Sequence, residues 1–320
     1  MKQKNSRSAS RDCRLARFSR LADCLFAFRA QIYNHGFELS KMAAAPIITC
    51  AARPVAILSV MLRAARREGN VHIMSKLVVR HDTANISTLT LNRPDVLNAL
   101  NVPMFEQLRD HVAALRDEVH KVGCVIITGA GKAFSAGHDL KDIQNGEHPP
   151  ERHFQAKTIQ ALAELPIPVI ARITGHCYTG GLELALAADV LIASRSAKLA
   201  DTHSKWGLTP LWGMTQRLPR RVGLSKAKEM MFTSHIYSAE EAERMGLVDI
   251  CVDDSELDRT VEEMAGRIAA NSSYSNSAIK SLLTATDGMD MEAGLAYELA
   301  HSPGAGKDAR ERIASFGKKK

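Results

Sequence analysis

Two glycine-containing segments of this sequence are suited to chemistry on a carbonyl. One is Gly131-Lys132-Ala133-Phe134-Ser135-Ala136-Gly137-His138-Asp139-Leu140, and the other is Gly175-His176-Cys177-Tyr178-Thr179-Gly180-Gly181-Leu182-Glu183-Leu184. Each reads as a strand-to-helix turn. Small residues there let the backbone approach a ligand closely, and the first amides of the new helix lack intrahelical partners. Two such helix starts side by side could aim two N–H donors at one oxygen and stabilise negative charge developing on it. A single loop of this kind reads as a tight turn, but two, each after a buried strand, shift the reading towards a site. His176 and Cys177 have no metal-ligand partners at recognisable spacing, so no metal site is expected. Neither a Walker loop nor a dinucleotide GxGxxG fingerprint is present.

Alternating strands and helices must position these turns. Leu77–Arg80 and Ile86–Leu91 read as strands joined by Asp82-Thr83-Ala84-Asn85. Asn101, with Pro103 after it, starts a helix whose apolar face is Met104, Leu108, Val112 and Leu115. Val122–Thr128 is a continuous apolar run, as in a strand buried on both faces. The Gly129–Gly137 loop follows, with a short helix expected from His138. Arg152–Leu165 reads as a helix, Pro168–Thr174 as a buried strand, Gly180–Ala188 as a helix and Val190–Ser194 as a strand. Beyond Ser225 the pattern is mainly helical, at Ser225–Phe232, Ala239–Met245, Glu256–Ala270, Ala278–Thr284 and Met291–Ala300. Repeated β–α units with buried strands predict an α/β fold.

The composition is that of a globular protein: 320 residues, 45% hydrophobic and 24% charged. That excludes a disordered chain, a collagen or a disulfide-stapled mini-protein. No uncharged apolar run reaches the roughly 18 residues of a spanning helix, so no membrane association is expected. Six cysteines without CxxC spacing suit a reducing compartment. The net charge of +7 is unevenly placed: residues 1–73 hold 13 Lys/Arg against 4 Asp/Glu, whereas residues 74–320 hold 29 against 31. The basic quarter lacks sustained periodicity. It reads first as an over-extended reading frame with translation starting at Met74, then as an Arg-rich targeting segment, and last as a nucleic-acid-binding arm. The corresponding locations are cytoplasmic or, with a genuine transit segment, mitochondrial. Three regions result: an extension over 1–73, a core over 74–265 and a helical region over 266–320.

Together with Leu91-Asn92-Arg93-Pro94-Asp95-Val96-Leu97-Asn98-Ala99-Leu100, Thr215-Gln216-Arg217-Leu218, Ser238-Ala239-Glu240-Glu241-Ala242 and Gly246-Leu247-Val248, the two loops resemble the crotonase superfamily, the enoyl-CoA hydratase/isomerase group. The resemblance runs from about Met74 to Lys320. It implies a spiral of stacked ββα turns with a helical C-terminal trimerisation region, assembled as a homotrimer or a dimer of trimers. It also implies an acyl-CoA lyase that adds water to a 2,3-enoyl-CoA thioester, coenzyme A being part of the substrate and no separate cofactor being needed. Matching positions make His138 N–H and Gly180 N–H the oxyanion donors. They place Asn98 and Ala136 beside the nucleotide end of coenzyme A and bring Lys318, Lys319 and Lys320 near its phosphates, although terminal lysines also read simply as a solvated tail.

Hydratases of this family use two glutamates, and the first matches Glu183. Three residues after Gly180, it returns to the helix face that carries the exposed amides. Its apolar neighbours Leu182, Leu184, Ala185 and Leu186 would raise its pKa, which suits acid–base work. The alternative, a helix-start acid favoured only by the dipole, is the lesser reading given the motif. Counting back from Gly207 and Thr215-Gln216-Arg217 puts His203 at the second position, a departure from the family. His203 reads equally as a proton carrier near neutral pH or as a pocket-lining side chain. Asp201 would point the same way only if the strand stayed regular. Trp206 and Trp212 read as shaping the acyl pocket or a subunit contact. Isomerase, decarboxylase, thioester hydrolase and non-catalytic acyl-CoA binder are the alternative functions. Nucleic-acid binding is disfavoured by the near-neutral body.

Overall fold

The structure, a computed structural model, describes residues 76–316. The expectations for residues 1–73 and for Lys318, Lys319 and Lys320 fall outside the described residues.

The chain opens with an antiparallel hairpin, β1 (Val78–Thr83) and β2 (Ile86–Leu91), in register from Val78 opposite Leu91 to Thr83 opposite Ile86. Helix α1 (Val102–Asp117) follows. Its start is the one the sequence indicates: the Asn101 side chain accepts from Met104 N–H at 3.1 Å, and Met104, Leu108, Val112 and Leu115 are buried. Three turns of a spiral come next, each giving one strand to each of two sheets. Strands β3 (Cys124–Gly129), β5 (Val169–Ile173) and β7 (Val190–Ser194) extend the first sheet. Strands β4 (Ala133–Ser135), β6 (His176–Tyr178) and β8 (Lys198–Ala200) build the second. Helices α2 (Leu140–Asn145), α3 (Phe154–Ala163) and α4 (Gly180–Ala185) lie between turns.

The chain then runs through α5 (Met214–Val222), α6 (Leu224–Thr233), β9 (Tyr237–Ser238), α7 (Ala239–Arg244), β10 (Ile250–Val252) and α8 (Leu257–Ala270). It ends in α9 (Ser273–Thr286), α10 (Met291–His301) and α11 (Ala309–Ala314). The finished sheets have the orders β1-β2-β3-β5-β7-β10 and β4-β6-β8-β9. This is the α/β crotonase spiral with a helical C-terminal region.

The apolar run of β3 explains the layering. Val125 and Ile127 face the main core, while Cys124 and Ile126 face the other way, onto Leu257, Val261 and Ala265 of α8. A strand buried on both faces needs apolar residues at both parities, and so shows no alternation in sequence.

Some elements escape the sequence. Helix α5 buries only Met214 and Leu218 and contains Pro219, so its apolar period is too sparse to read. Helix α9 begins at Ser273, ahead of the expected Ala278, because the Ser272 side chain accepts from Ser275 N–H at 3.3 Å and caps a start that reads as a polar loop. The short strands of the second sheet, three residues or fewer apart from their neighbours' support, carry little periodicity of their own.

Asn98 is fully buried with φ of 54°, a left-handed conformation that Asn tolerates better than most residues. Its amide donates to Ala130 O at 2.9 Å and Ala133 O at 2.8 Å, while its carbonyl accepts from Arg93 N–H at 2.8 Å. Asn98→Ala leaves three backbone groups without their partner, the Ala133 carbonyl in a buried bond and the Ala130 carbonyl and Arg93 N–H in part-buried ones. At about 1–3 kcal/mol for the buried group, and less for the two that water can reach, a loss of at least about 1–3 kcal/mol is expected in chemical denaturation.

Candidate active site

Strands β4, β6 and β8 are parallel neighbours, so their C-terminal ends open at one edge of the second sheet. The loops leaving that edge carry His138, Gly180 and His203, and the crevice beyond strand ends is where open α/β sheets hold ligands. A cavity of about 280 Å³ there is lined by His138, Thr179, Gly180, Glu183, His203 and Trp212, among others. The structure therefore gathers all four residues expected to carry the chemistry.

The two amides arise in different ways. Gly180 opens α4, so its N–H precedes the first intrahelical bond. Thr179, before it, has φ of 50°, a strained value for a β-branched residue. A 2.5 Å contact between its hydroxyl and that of Thr202 holds it in place. His138 is not at a helix start, which corrects the sequence expectation. Asp139 caps α2 by accepting from Lys141 N–H at 3.1 Å, and the helix begins at Leu140. Instead, a parallel bridge with Leu100 turns the His138 amide outward: Leu100 N–H donates to Gly137 O, and Asp139 N–H donates to Leu100 O. Among the described residues neither His138 N–H nor Gly180 N–H donates to a backbone group.

Glycines keep the amides close. A Cβ on Gly180 would fall 3.2 Å from His138 N and 2.4 Å from Cζ3 of Trp212. A Cβ on Gly137, where φ is 97°, would fall 3.2 Å from Gly180 N. Arg93 anchors the first loop, donating to Asp139 at 2.9 Å. Burial alone would raise the Asp139 carboxyl, but hydrogen bonds from Arg93 and the Lys141 amide outweigh it and hold it below the usual carboxylate range.

Glu183 is 1% exposed. Its Oε1 accepts from Trp212 N–H at 2.9 Å and Met214 N–H at 3.0 Å, which leaves Oε2 turned to His203 Nε2 at 3.7 Å. Burial raises its pKa above the ordinary 4.5, against the pull of those amides and of His203. His203 is held from behind: Asp201 Oδ1 accepts from its Nδ1 at 2.5 Å and from its backbone N–H at 3.1 Å. Strand β8 ends at Ala200, so strand alternation does not govern this pair. The turn at His203, which opens the short helix Ser204–Trp206, folds the imidazole back onto Asp201. With Nδ1–H donated to a carboxylate, Nε2 faces the cavity as an acceptor.

The remaining expectations divide. Trp212 packs on His138 with ring centroids 4.6 Å apart and lines the cavity, whereas Trp206 is 54% exposed and does not. The Asn98 side chain is turned inward and bonded to the loop it holds, so it shapes that loop. Ala136 is half-buried in the loop before His138. Burial pushes the Cys124 thiol up to about 12 and raises Cys177 too, so neither offers a thiolate. Glu147, His153 and Gln155 also line the cavity and were missed. They lie around the turn-rich run Gly146–Pro150, which offers no motif, and only tertiary folding brings them to the site.

The profile of the enoyl-CoA hydratase/isomerase family matches residues 81–320. A probable peroxisomal enoyl-CoA hydratase of Arabidopsis thaliana is 33% identical over 76% of this chain and 94% of its own length. The 1,2-epoxyphenylacetyl-CoA isomerase of Escherichia coli is also 33% identical, over 76% of this chain and 96% of its own. Among solved structures, an enoyl-CoA hydratase from Bacillus anthracis superposes with a TM-score of 0.70 at 33% identity, covering 76% of this chain and 97% of that one.

Proposed function

Because the chain belongs to the enoyl-CoA hydratase/isomerase family, we propose that it is a lyase that adds water across the double bond of a 2,3-enoyl-CoA thioester. One observation carries this reading: Glu183 Oε2 and His203 Nε2 face each other at 3.7 Å in the same cavity as the unpaired amides of His138 and Gly180.

The thioester oxygen would sit between those two amides. As the water oxygen bonds to the β-carbon, the π electrons shift onto that oxygen, and the two N–H groups stabilise the enolate. His203 Nε2, the acceptor nitrogen of an imidazole whose Nδ1–H is held by Asp201, takes a proton from the water. Glu183, which burial makes a weaker acid and so keeps protonated more readily, delivers a proton to the α-carbon. Coenzyme A enters as part of the substrate.

Histidine in place of the second glutamate favours a second reading, another enolate reaction with Glu183 alone handling protons: isomerisation, decarboxylation or thioester hydrolysis. A panel of acyl-CoA thioesters, read by mass spectrometry and NMR, separates them. Gain of water supports the first reading. Loss of carbon dioxide, release of free coenzyme A, or a shifted double bond at unchanged mass supports the second. His203→Gln should lower hydration by roughly 10²-fold, and His203→Glu should also slow it because the Asp201 contact is lost. A silent His203→Gln with an accelerating His203→Glu would make His203 a pocket residue and hydration a minor activity.

A homotrimer or dimer of trimers is part of the proposal. It is supported by exposed apolar side chains on the C-terminal helices, Leu283, Leu295, Leu299 and Ile313, being 52–86% exposed. Light scattering should return a multiple of three chains.

A further inference from the structure

We propose that the acyl pocket selects thioesters whose chain carries a hydroxyl beyond the reacting carbons. This rests on the acyl-CoA reading above and names the substrate class for that site.

The observation is a second polar assembly in the cavity, apart from Glu183 and His203. The imidazole of His138, whose backbone N–H is an oxyanion donor, places Nε2 2.8 Å from Glu147 Oε1. Gln155 donates its Nε2 to Glu147 Oε2 at 2.8 Å. Trp212 packs on the His138 ring and fixes its plane. All four residues line the cavity. With a thioester oxygen held by the His138 amide, the carboxylate would lie one imidazole's reach away on the same cavity wall, within range of the acyl chain.

A hydrocarbon chain pressed against Glu147 would strip water from a carboxylate and return nothing, which is costly. Each carboxylate oxygen has two acceptor sites; Gln155 occupies one on Oε2, and the close approach of His138 Nε2 to Oε1 is not a hydrogen bond, so acceptor capacity remains on both oxygens. A substrate hydroxyl can donate to such a site. An ammonium would also donate, but brings a larger desolvation cost of its own. A chain carboxylate is disfavoured by charge: it would meet the Glu147 carboxylate, and among the described residues no Lys or Arg lines the cavity. Sites built to hydrogen-bond a substrate hydroxyl discriminate strongly against the analogue lacking it.

The test uses the full chain and two series of probes. Binding is measured by calorimetry with butanoyl-CoA, 4-hydroxybutanoyl-CoA and 3-carboxypropanoyl-CoA, which cannot be hydrated. Turnover is measured with the matching 2-enoyl thioesters. The 4-hydroxy compound should bind roughly 10–100-fold more tightly than butanoyl-CoA, as expected for a hydrogen bond to a charged group, and the carboxylated one more weakly than either. Glu147→Leu should reverse the order of the first two, and Glu147→Gln should narrow the gap while preserving shape. Equal affinity for the hydroxylated and plain chains overturns the proposal, whatever the turnover. A hydroxyl preference in binding without gain of water leaves the proposal standing and removes the hydratase reading instead. If Glu147→Leu folds, binds coenzyme A thioesters and keeps the parent's preference, the carboxylate is not the selector and the proposal fails.

Discussion

Glu183→Gln should lower kcat by about 10²–10⁴-fold, the usual cost of losing a general acid or base, while leaving KM within a small factor. The substitution keeps the architecture, because the amide oxygen of Gln can still accept from Trp212 N–H and Met214 N–H where Oε1 now does. What it removes is the proton exchanged at Oε2, opposite His203. The same substitution carries a stability signature of opposite sign. Burial places the folded carboxyl above its ordinary 4.5, so ionising it opposes folding. Its stabilising contribution is complete below the ordinary value and is lost as pH rises through the raised one. Gln does not titrate. Glu183→Gln should therefore melt at a higher temperature than the parent at neutral pH, and the difference should shrink on acidification towards the ordinary carboxylate range. Slower and more stable is the expected pair of results for a group held in place at a cost to the fold. A variant with undiminished turnover would remove Glu183 from the mechanism; a variant that melts lower at neutral pH would show that its charge is better compensated than its surroundings indicate.

Gly180→Ala and His138→Pro attack the other half of the site and should each cost about 10²–10³-fold in kcat, the loss found when an oxyanion donor is removed. The two act differently. An alanine Cβ at position 180 would overlap the Trp212 ring at 2.4 Å and crowd His138 N at 3.2 Å, so either the amide pair spreads or the tryptophan moves. Proline at 138 deletes a donor outright. His138→Ala is the matched control, since it keeps the N–H, and it should retain most of the turnover on an unsubstituted acyl chain. In a ligand complex, both nitrogens should lie about 2.7–3.1 Å from the acyl oxygen. Full activity in the proline variant, or a thioester oxygen bound elsewhere, would sink the assignment. Double substitution with Glu183→Gln should cost less than the product of the single losses if amides and carboxylate act on one transition state.

Much of this was legible in the residues themselves. The spacing of apolar positions and the Asn101 cap locate α1 because helix periodicity and capping are local. Unbroken apolar runs at β3 and β5 announce strands buried on both faces, and the glycine loops announce close backbone approach. The residues by themselves announce an α/β chain, and the spiral of ββα turns is what the resemblance of the ordered motifs to the crotonase superfamily implies. Other features depend on groups that meet only after folding. That the His138 amide is turned out by a bridge to Leu100, and not by a helix start, depends on a strand-like contact across 38 positions of sequence. The partner of His203 could not be read from alternation, because strand β8 stops before Asp201 and a turn sets the geometry. Trp212 and Met214 lend Glu183 their amides from 29 and 31 residues away, and no local pattern marks a backbone donor. Glu147 stands in a turn-rich loop with nothing to distinguish it from a solvated acid until the fold lays it against His138. The sequence thus determined which elements form and which side chains are available for proton chemistry, since propensity, capping and periodicity act over a few residues. Tertiary structure decided which of those groups face one another and which carboxylate is desolvated, since burial and hydrogen-bond partnership are properties of the packed chain.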